Sequence, residues 1–217
     1  MEALLEDVPD HLATERLILR SARGDDAATL NAAVSESLDD LRAYMPWAQT
    51  SPSLAQSNAD CRRLQAKFLL REDLPMFMFE RVADGGEGAF IGGTGLHRID
   101  WTVRRFELGY WCRTSHQGRG FVTEAVRALT RFAFERLQAR RVEVRMDDTN
   151  ERSWKLAQRA GFALEGVLRS DSLNPQGEPR DTRVYALLAP PGASASVSRA
   201  RLSQRASATA RSGPRRR

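Results

Sequence analysis

The chain alternates between two hydrophobic periods. Val122, Ala125, Val126, Leu129, Phe132, Ala133 and Leu137 fall on one face at helical spacing, which predicts the strongest amphipathic helix of the protein. A second amphipathic pattern predicts a helix over Leu54–Arg71, and shorter ones are expected from Asp25 or Asp26 (as cap) to Glu36 and over Ser37–Tyr44. Asn150 to Ala160 reads as a short helix closed by Gly161. Between these lie seven segments of strand character: 16–21, 76–82, 90–99, 106–112, 141–146, 162–169 and 183–188. Asp84-Gly85-Gly86-Glu87-Gly88 predicts a hairpin turn between the second and third. Helices before, between and after strands imply an α/β chain, a mixed sheet with helices over its faces.

Charge changes this picture at one end. The formal net charge is +5 and the sequence pI about 9.8, which invites a nucleic-acid reading. Residues 190–217 hold seven arginines and no acid, so removing these seven from +5 leaves −2 for the rest. The basicity belongs to a tail, and DNA binding by the body is not expected. Pro190-Pro191-Gly192 ends the patterned region, and the Ser/Ala/Arg-rich segment beyond it has too few large apolar residues to offset its ordering entropy. We therefore divide the chain into an N-terminal extension (1–11), one folded domain (12–189) and a disordered basic tail (190–217). That tail is either a solvated end or an arm touching RNA or a ribosome.

No apolar run reaches the length of a membrane span. The acidic start lacks the basic region of a signal peptide, and Cys61 and Cys112 are too far apart in sequence for a metal-ligand spacing. A cytoplasmic protein with reduced thiols and no metal is expected. The sequence leaves monomer and homodimer equally open.

Candidate chemistry begins at Gln117-Gly118-Arg119-Gly120, between the fourth predicted strand and the strong helix. Glycines allow a tight turn and close backbone approach. The first N–H groups of a helix lack internal partners, and the dipole places partial positive charge there. Together they favour an anion such as a pyrophosphate. The dipole supplies only about 0.3–2 kcal/mol, so direct N–H bonds, with Arg119 and the Thr123 hydroxyl, must carry most of the recognition. The Lys-Ser/Thr of a Walker loop is missing, and Thr123 stands at the third glycine of a dinucleotide fingerprint. An ordinary strand-to-helix turn would carry the same residues, so the turn alone decides nothing.

The context does more. Glu107-Leu-Gly-Tyr-Trp, Gln117-Gly-Arg-Gly-Phe-Val-Thr-Glu-Ala-Val and Asn150-Glu-Arg-Ser-Trp-Lys-Leu-Ala-Gln-Arg-Ala-Gly-Phe, in this order and spacing, resemble the GNAT acetyltransferases. The resemblance is greatest to the branch containing bacterial ribosomal-protein alanine and serine N-acetyltransferases. Thr14-Glu15-Arg16-Leu17 and the segment Arg180–Tyr185 resemble that branch too, so the similarity spans about residues 12–189. It implies a GNAT fold: a twisted, mostly antiparallel sheet of six or seven strands, its fourth and fifth splayed into a slot. It also implies acetyl-coenzyme A as acetyl donor, with pantetheine in the slot and pyrophosphate on the turn Gln117–Thr123, including Phe121 and Val122. One departure is Ser115, at a place where the family's loop often carries Gln or Arg.

Acetyl transfer needs a proton removed from the amine, an oxyanion stabilised and a thiolate released. By resemblance, backbone N–H groups around Tyr110, Trp111 and Cys112 are the oxyanion donors. Glu107 is the first candidate for general base, acting through water, against the alternative of a strand carboxylate paired with an arginine. Asp171 is the second. Ser153 is assigned to the leaving thiolate by resemblance to the ribosomal-protein branch, which has serine three residues after the motif asparagine, against the alternative of a first-turn helix serine without chemistry; the tyrosine many family members carry seven residues after that asparagine is here Ala157. Asn150 has two compatible roles, helix N-cap and partner of the pantetheine amide. Tyr44 and Trp47 fall where the family lines its acceptor pocket. His97 and His116 are isolated in sequence and read as structural or exposed. The expected activity is acetyl-CoA-dependent N-acetyl transfer to a primary amine, by branch resemblance a protein or peptide N-terminus. A small-molecule amine or antibiotic is the alternative acceptor, and a non-catalytic acyl-CoA-binding module the alternative of another class.

Overall fold

The computed structural model describes residues 3–189. The basic tail expected from residue 190 onward, and its proposed RNA contact, lie outside the described residues. Eight strands form one sheet in the order β1-β2-β3-β4-β5-β6-β8-β7. They are β1 (His11–Ala13), β2 (Leu17–Ser21), β3 (Leu74–Arg81), β4 (Glu87–Asp100), β5 (Arg105–Cys112), β6 (Arg141–Asp147), β7 (Ala163–Leu173) and β8 (Pro179–Leu188). The helices are α1 (Ala27–Glu36), α2 (Leu38–Arg42), α3 (Leu54–Leu70), α4 (Phe121–Glu135) and α5 (Glu151–Arg159). Seven strands match those expected. The eighth, β1, is three partly polar, largely exposed residues whose strand character exists only through pairing with β2.

Every neighbouring pair is antiparallel except β5 with β6. That parallel pair holds for three registers, Arg105–Arg141, Phe106–Val142 and Glu107–Glu143, and then stops. Beyond it β5 continues on β4 to Cys112 opposite Gly92, and β6 continues on β8 to Asp147 opposite Thr182. Each strand keeps its outer partner and leaves the facing edge unpaired. The expected splay is therefore present, and its free backbone groups need partners from elsewhere.

Helices cover both faces. On one, α4 and α5 bury Leu129, Phe132, Ala133 and Ala157 against Leu19, Met78, Ile91, Leu108 and Val144. On the other, Leu30, Val34 and Cys61 of α1 and α3 pack on Phe77, Phe79 and Phe90. Under α1 lies a buried ion cluster in which Arg20 bonds Asp26 (2.8 and 2.7 Å) and Glu87 (2.7 and 2.9 Å). Asp26 stands at the N-cap position of α1 but its carboxylate does not cap that helix; it accepts from Arg20 and, in a capping box on the turn Gly24–Asp26, from the Arg23 N–H. Burial acts against the charge on Arg20, yet the bonds to Asp26 and Glu87 outweigh it and raise its pKa. Among the described residues no helix is long and apolar enough to cross a membrane, and both cysteines are unpaired.

Candidate functional site

Gln117–Gly120 forms the expected tight turn. Gly118 and Gly120 have φ of +73° and +80°, the left-handed region that disfavours side chains. A Cβ on Gly118 would meet nothing, so backbone conformation rather than space demands glycine there. Gly120 is the N-cap of α4, and no side chain caps that end. The first-turn N–H groups therefore open onto a cleft of about 1240 Å³.

The turn is clamped from two sides. Glu124, in the first turn of α4, accepts from Thr14 Oγ1 (2.6 Å), the Arg16 N–H (2.9 Å) and Arg16 Nε (2.7 Å). Arg16 Nη1 also donates to the Arg119 carbonyl at 3.1 Å. Burial raises the Glu124 pKa, but these bonds prevail and hold it below the usual range. On the other side, Glu36 accepts from Arg113 (2.6 Å) and the Ser115 N–H (3.0 Å), which hold its pKa down to about 2. Asp40 accepts from Thr114 Oγ1 (2.7 Å) and Gln117 Nε2 (2.9 Å), and Arg152 Nη1 donates to Gln117 Oε1 at 3.0 Å. Ser115, the departure noted above, is thus anchored by its backbone. Thr14, Arg16 and Glu124 stood out in sequence only as motif letters, because their partners lie about a hundred residues away. We expect Glu124→Ala to cost about 1–3 kcal/mol, since it removes bonds to a charged group. It should also loosen the turn, read as faster hydrogen exchange at 118–123 with the rest of the sheet still protected.

Most of the expected cofactor residues converge on this cleft. Tyr110, Trp111, Cys112, Gln117, Gly118, Gly120, Phe121, Val122, Thr123, Asn150 and Ser153 all line it. Arg119 does not: its guanidinium turns away, over the Phe121 ring (4.9 Å) and toward Glu80 (3.6 Å). The cations that line the cleft are Arg152, Lys155 and Arg159 of α5. They are spaced along one helix whose approach to the turn only the fold reveals.

Across the slot, Asn150 caps α5 by accepting from the Ser153 N–H at 3.1 Å. Ser153 Oγ lies 2.8 Å from the Tyr110 hydroxyl, which also reaches the Ser153 carbonyl at 3.2 Å. Burial pushes the Tyr110 phenol up to about 12, against the opposing bond from Ser153. It is therefore protonated at neutral pH. Sequence placed Tyr110 by its backbone and ruled out a tyrosine from position 157; the slot nevertheless holds a phenol, that of Tyr110 on β5, 43 residues before Ser153 in the chain.

A second cleft of about 950 Å³ opens on the opposite face and is lined by Tyr44, Trp47, His97, Glu107 and Trp111. Trp47, 56% exposed, sits edge-on to Trp111 with ring centroids 6.1 Å apart. Glu107 lies here, paired with Arg98 at 3.1 Å. Asp171 lines neither cleft; it pairs with Arg145 (3.0 Å), and its pKa is lowered by Thr182 and by Arg145. The two clefts share Tyr44, Met45, Tyr110, Trp111, Asn150 and Ser153, so they meet at the splay.

Similarity to known proteins agrees with this geometry. Residues 16–163 match the family described as Acetyltransferase (GNAT) domain. "Uncharacterized N-acetyltransferase YoaA" of Bacillus subtilis is 30% identical over 82% of this chain and 97% of its own length. The "Ribosomal-protein-serine acetyltransferase" of Escherichia coli is 33% identical over 57% of this chain and 69% of its own. Another Bacillus subtilis relative, 37% identical, is matched over 55% of its length. Among solved structures, RimL, a ribosomal L7/L12 alpha-N-protein acetyltransferase in complex with coenzyme A, superposes with a TM-score of 0.75 at 21% identity, covering 82% of this chain and 97% of that one. With the family matched across most of the folded region, the chain belongs to the GNAT acetyltransferases and is an acyltransferase enzyme.

Proposed function

We propose that the protein transfers the acetyl group of acetyl-CoA to a primary amine, with a protein or peptide N-terminus as acceptor. The observation that carries this reading is the meeting of two clefts at one slot, one suited to an anion and the other to an acceptor. The donor fits the residues present. Uncapped N–H groups at Gly118–Thr123 suit the diphosphate, cationic α5 side chains suit further phosphate, and the unpaired edges of β5 and β6 suit the pantetheine amides. The acceptor class is supported by the Escherichia coli relative named for ribosomal-protein serine acetylation, and its place is the cleft of about 950 Å³ beside the slot.

The residues divide the chemistry. Backbone N–H groups of Tyr110–Cys112 polarise the carbonyl. The Ser153–Tyr110 hydroxyl pair meets the departing sulfur, with the protonated phenol as the proton reserve. Thiol release from acetyl-CoA is the direct test, with a peptide bearing an N-terminal serine, a polyamine and an aminoglycoside as competing acceptors. Faster turnover of either small amine would move the acceptor assignment. Ser153→Ala and Tyr110→Phe should each lower kcat by about 10²-fold, the low end for a positioned acid, with acetyl-CoA affinity retained. Full activity in both would remove the pair from the mechanism.

A further inference from the structure

Two glycines, Gly93 and Gly109, line the floor of the acceptor cleft. Gly95 stands opposite Gly109 and Gly93 opposite Trp111 on the β4–β5 pair. A Cβ on Gly93 would lie 2.4 Å from Trp111 Nε1, and one on Gly95 2.8 Å from the Leu74 carbonyl oxygen and Pro75 Cα and 3.0 Å from His97 Nε2. A Cβ on Gly109 would lie 3.1 Å from His97 Cδ2 and 3.3 Å from Nε2. The imidazole therefore lies across the Gly95–Gly109 pair with its Nε2 edge over the floor, one residue from Tyr110 of the slot.

The other ring nitrogen faces a carboxylate beyond hydrogen-bond distance. His97 Nδ1 is 3.7 Å from Asp73 Oδ2, and Asp73 in turn accepts from Lys67 Nζ and the Arg98 N–H, both at 3.0 Å. Burial raises the Asp73 pKa, but His97 and Lys67 outweigh it and hold it at about 2, so a carboxylate faces the ring. Arg98 adopts a left-handed φ of +45°, an uncommon conformation for a residue with a side chain. Its guanidinium is then committed to Glu107 at 3.1 Å.

We propose that His97, oriented by Asp73, accepts the proton of the attacking amine, and that Glu107 is the charge partner of Arg98 rather than the base. This rests on the acetyl-transfer reading above. Asp73 favours a proton on Nδ1, which leaves Nε2 as the acceptor. The charged groups that line the cleft with the ring are Asp73 just before β3, Lys67, Asp60 and Arg63 on α3, Arg98 on β4, and Glu107, the residue opposite His97 on β5. Arg145, Asp147 and Arg180 line the far wall from β6 and β8. The two nearest carboxylates, Asp73 and Glu107, each have a cation of their own, which leaves the imidazole as the proton acceptor on this face. In the step, the C–N bond forms as the C–S bond breaks. The amine nitrogen gives its proton to Nε2, the sulfur takes one from the Ser153–Tyr110 pair, and solvent restores both groups.

Two measurements test this. In the full-length protein with acetyl-CoA and an N-terminal-serine peptide, His97→Ala should lose about 10²–10⁴-fold in kcat. Its KM for acetyl-CoA should hold, the acidic inflection of the pH–rate profile should vanish, and added imidazole should restore part of the rate. Glu107→Gln should keep that inflection. Asp73→Asn, a positioning variant, should shift it. An inflection retained in both His97→Ala and His97→Gln, or lost in Glu107→Gln, overturns the assignment. Independently of turnover, nitrogen NMR of the unliganded protein, with His97 identified by its absence in His97→Gln, should show the Nδ1–H tautomer above the titration. The Nε2–H tautomer would overturn it. If the wild-type protein releases no thiol with any amine, the acetyl-transfer reading fails and takes this one with it; a working wild type with an unaffected His97→Ala sinks this one alone.

Discussion

Gly120→Val should weaken acetyl-CoA binding by about 10–100-fold with the domain still folded. Residue 120 sits at φ +80°, where a β-branched side chain is strained by roughly 1–2 kcal/mol. The domain can absorb that strain; the ligand contact cannot. Relaxing toward negative φ turns the N–H groups at the head of α4 away from the cleft. A hydrogen bond to a charged group contributes about 1.5–3 kcal/mol, and 1.4 kcal/mol is about tenfold in affinity. Losing one such bond sets the expected range. Gly118→Val, at φ +73°, should behave alike. Gly177→Val supplies the control: its φ of +85° imposes the same strain in the β7–β8 turn, outside both clefts. Calorimetric titration with acetyl-CoA reads the difference. Equal affinity in Gly120→Val and Gly177→Val would remove the turn from the donor site.

The largest stability effect is expected from Asp26→Ala, about 3–5 kcal/mol, the cost of leaving a buried charge without its partner. Arg20 and Asp26 have side chains only 5% and 7% exposed. Glu87, at 32%, can compensate only in part. For a domain of this size the loss is roughly a 6–20 °C fall in Tm, at about 2–4 °C per kcal/mol. Arg20→Met in the same chain should recover much of it, because no unpaired buried cation remains. Thermal unfolding of the two single variants and the double variant decides the matter. Additive losses would show that the cluster is not coupled. This cluster ties β2 and the β3–β4 hairpin to the start of α1, so its loss should also disturb the acceptor face that α1 helps to cover.

Local periodicity made the long elements legible. The apolar stripe of α4 and the alternation in β6 need no distant partner to be recognised. The Gly118–Gly120 turn was equally visible, because its glycines answer to local backbone geometry. What escaped were elements and roles defined by pairing. β1 is a strand only because β2 accepts it. Asp26 looked like the cap of α1, but its carboxylate goes to buried Arg20 and to the Arg23 N–H instead. Arg119 looked like a phosphate ligand, but neighbouring Phe121 and Glu80 hold it outside. His97 looked isolated because Asp73 is 24 residues before it, and only the antiparallel run of β3 on β4 brings them together.

The amino-acid order by itself determined the order of elements, the glycine turn ahead of an amphipathic helix and the net negative body with a basic end. These depend on periods of 2 and 3.6 residues and on residues next to one another. Tertiary structure decided where β5 leaves β6, that Tyr110 meets Ser153, which arginines face the donor cleft and which carboxylate orients His97. Those depend on where separate strands end and which faces they turn toward each other, and no local sequence window contains that information.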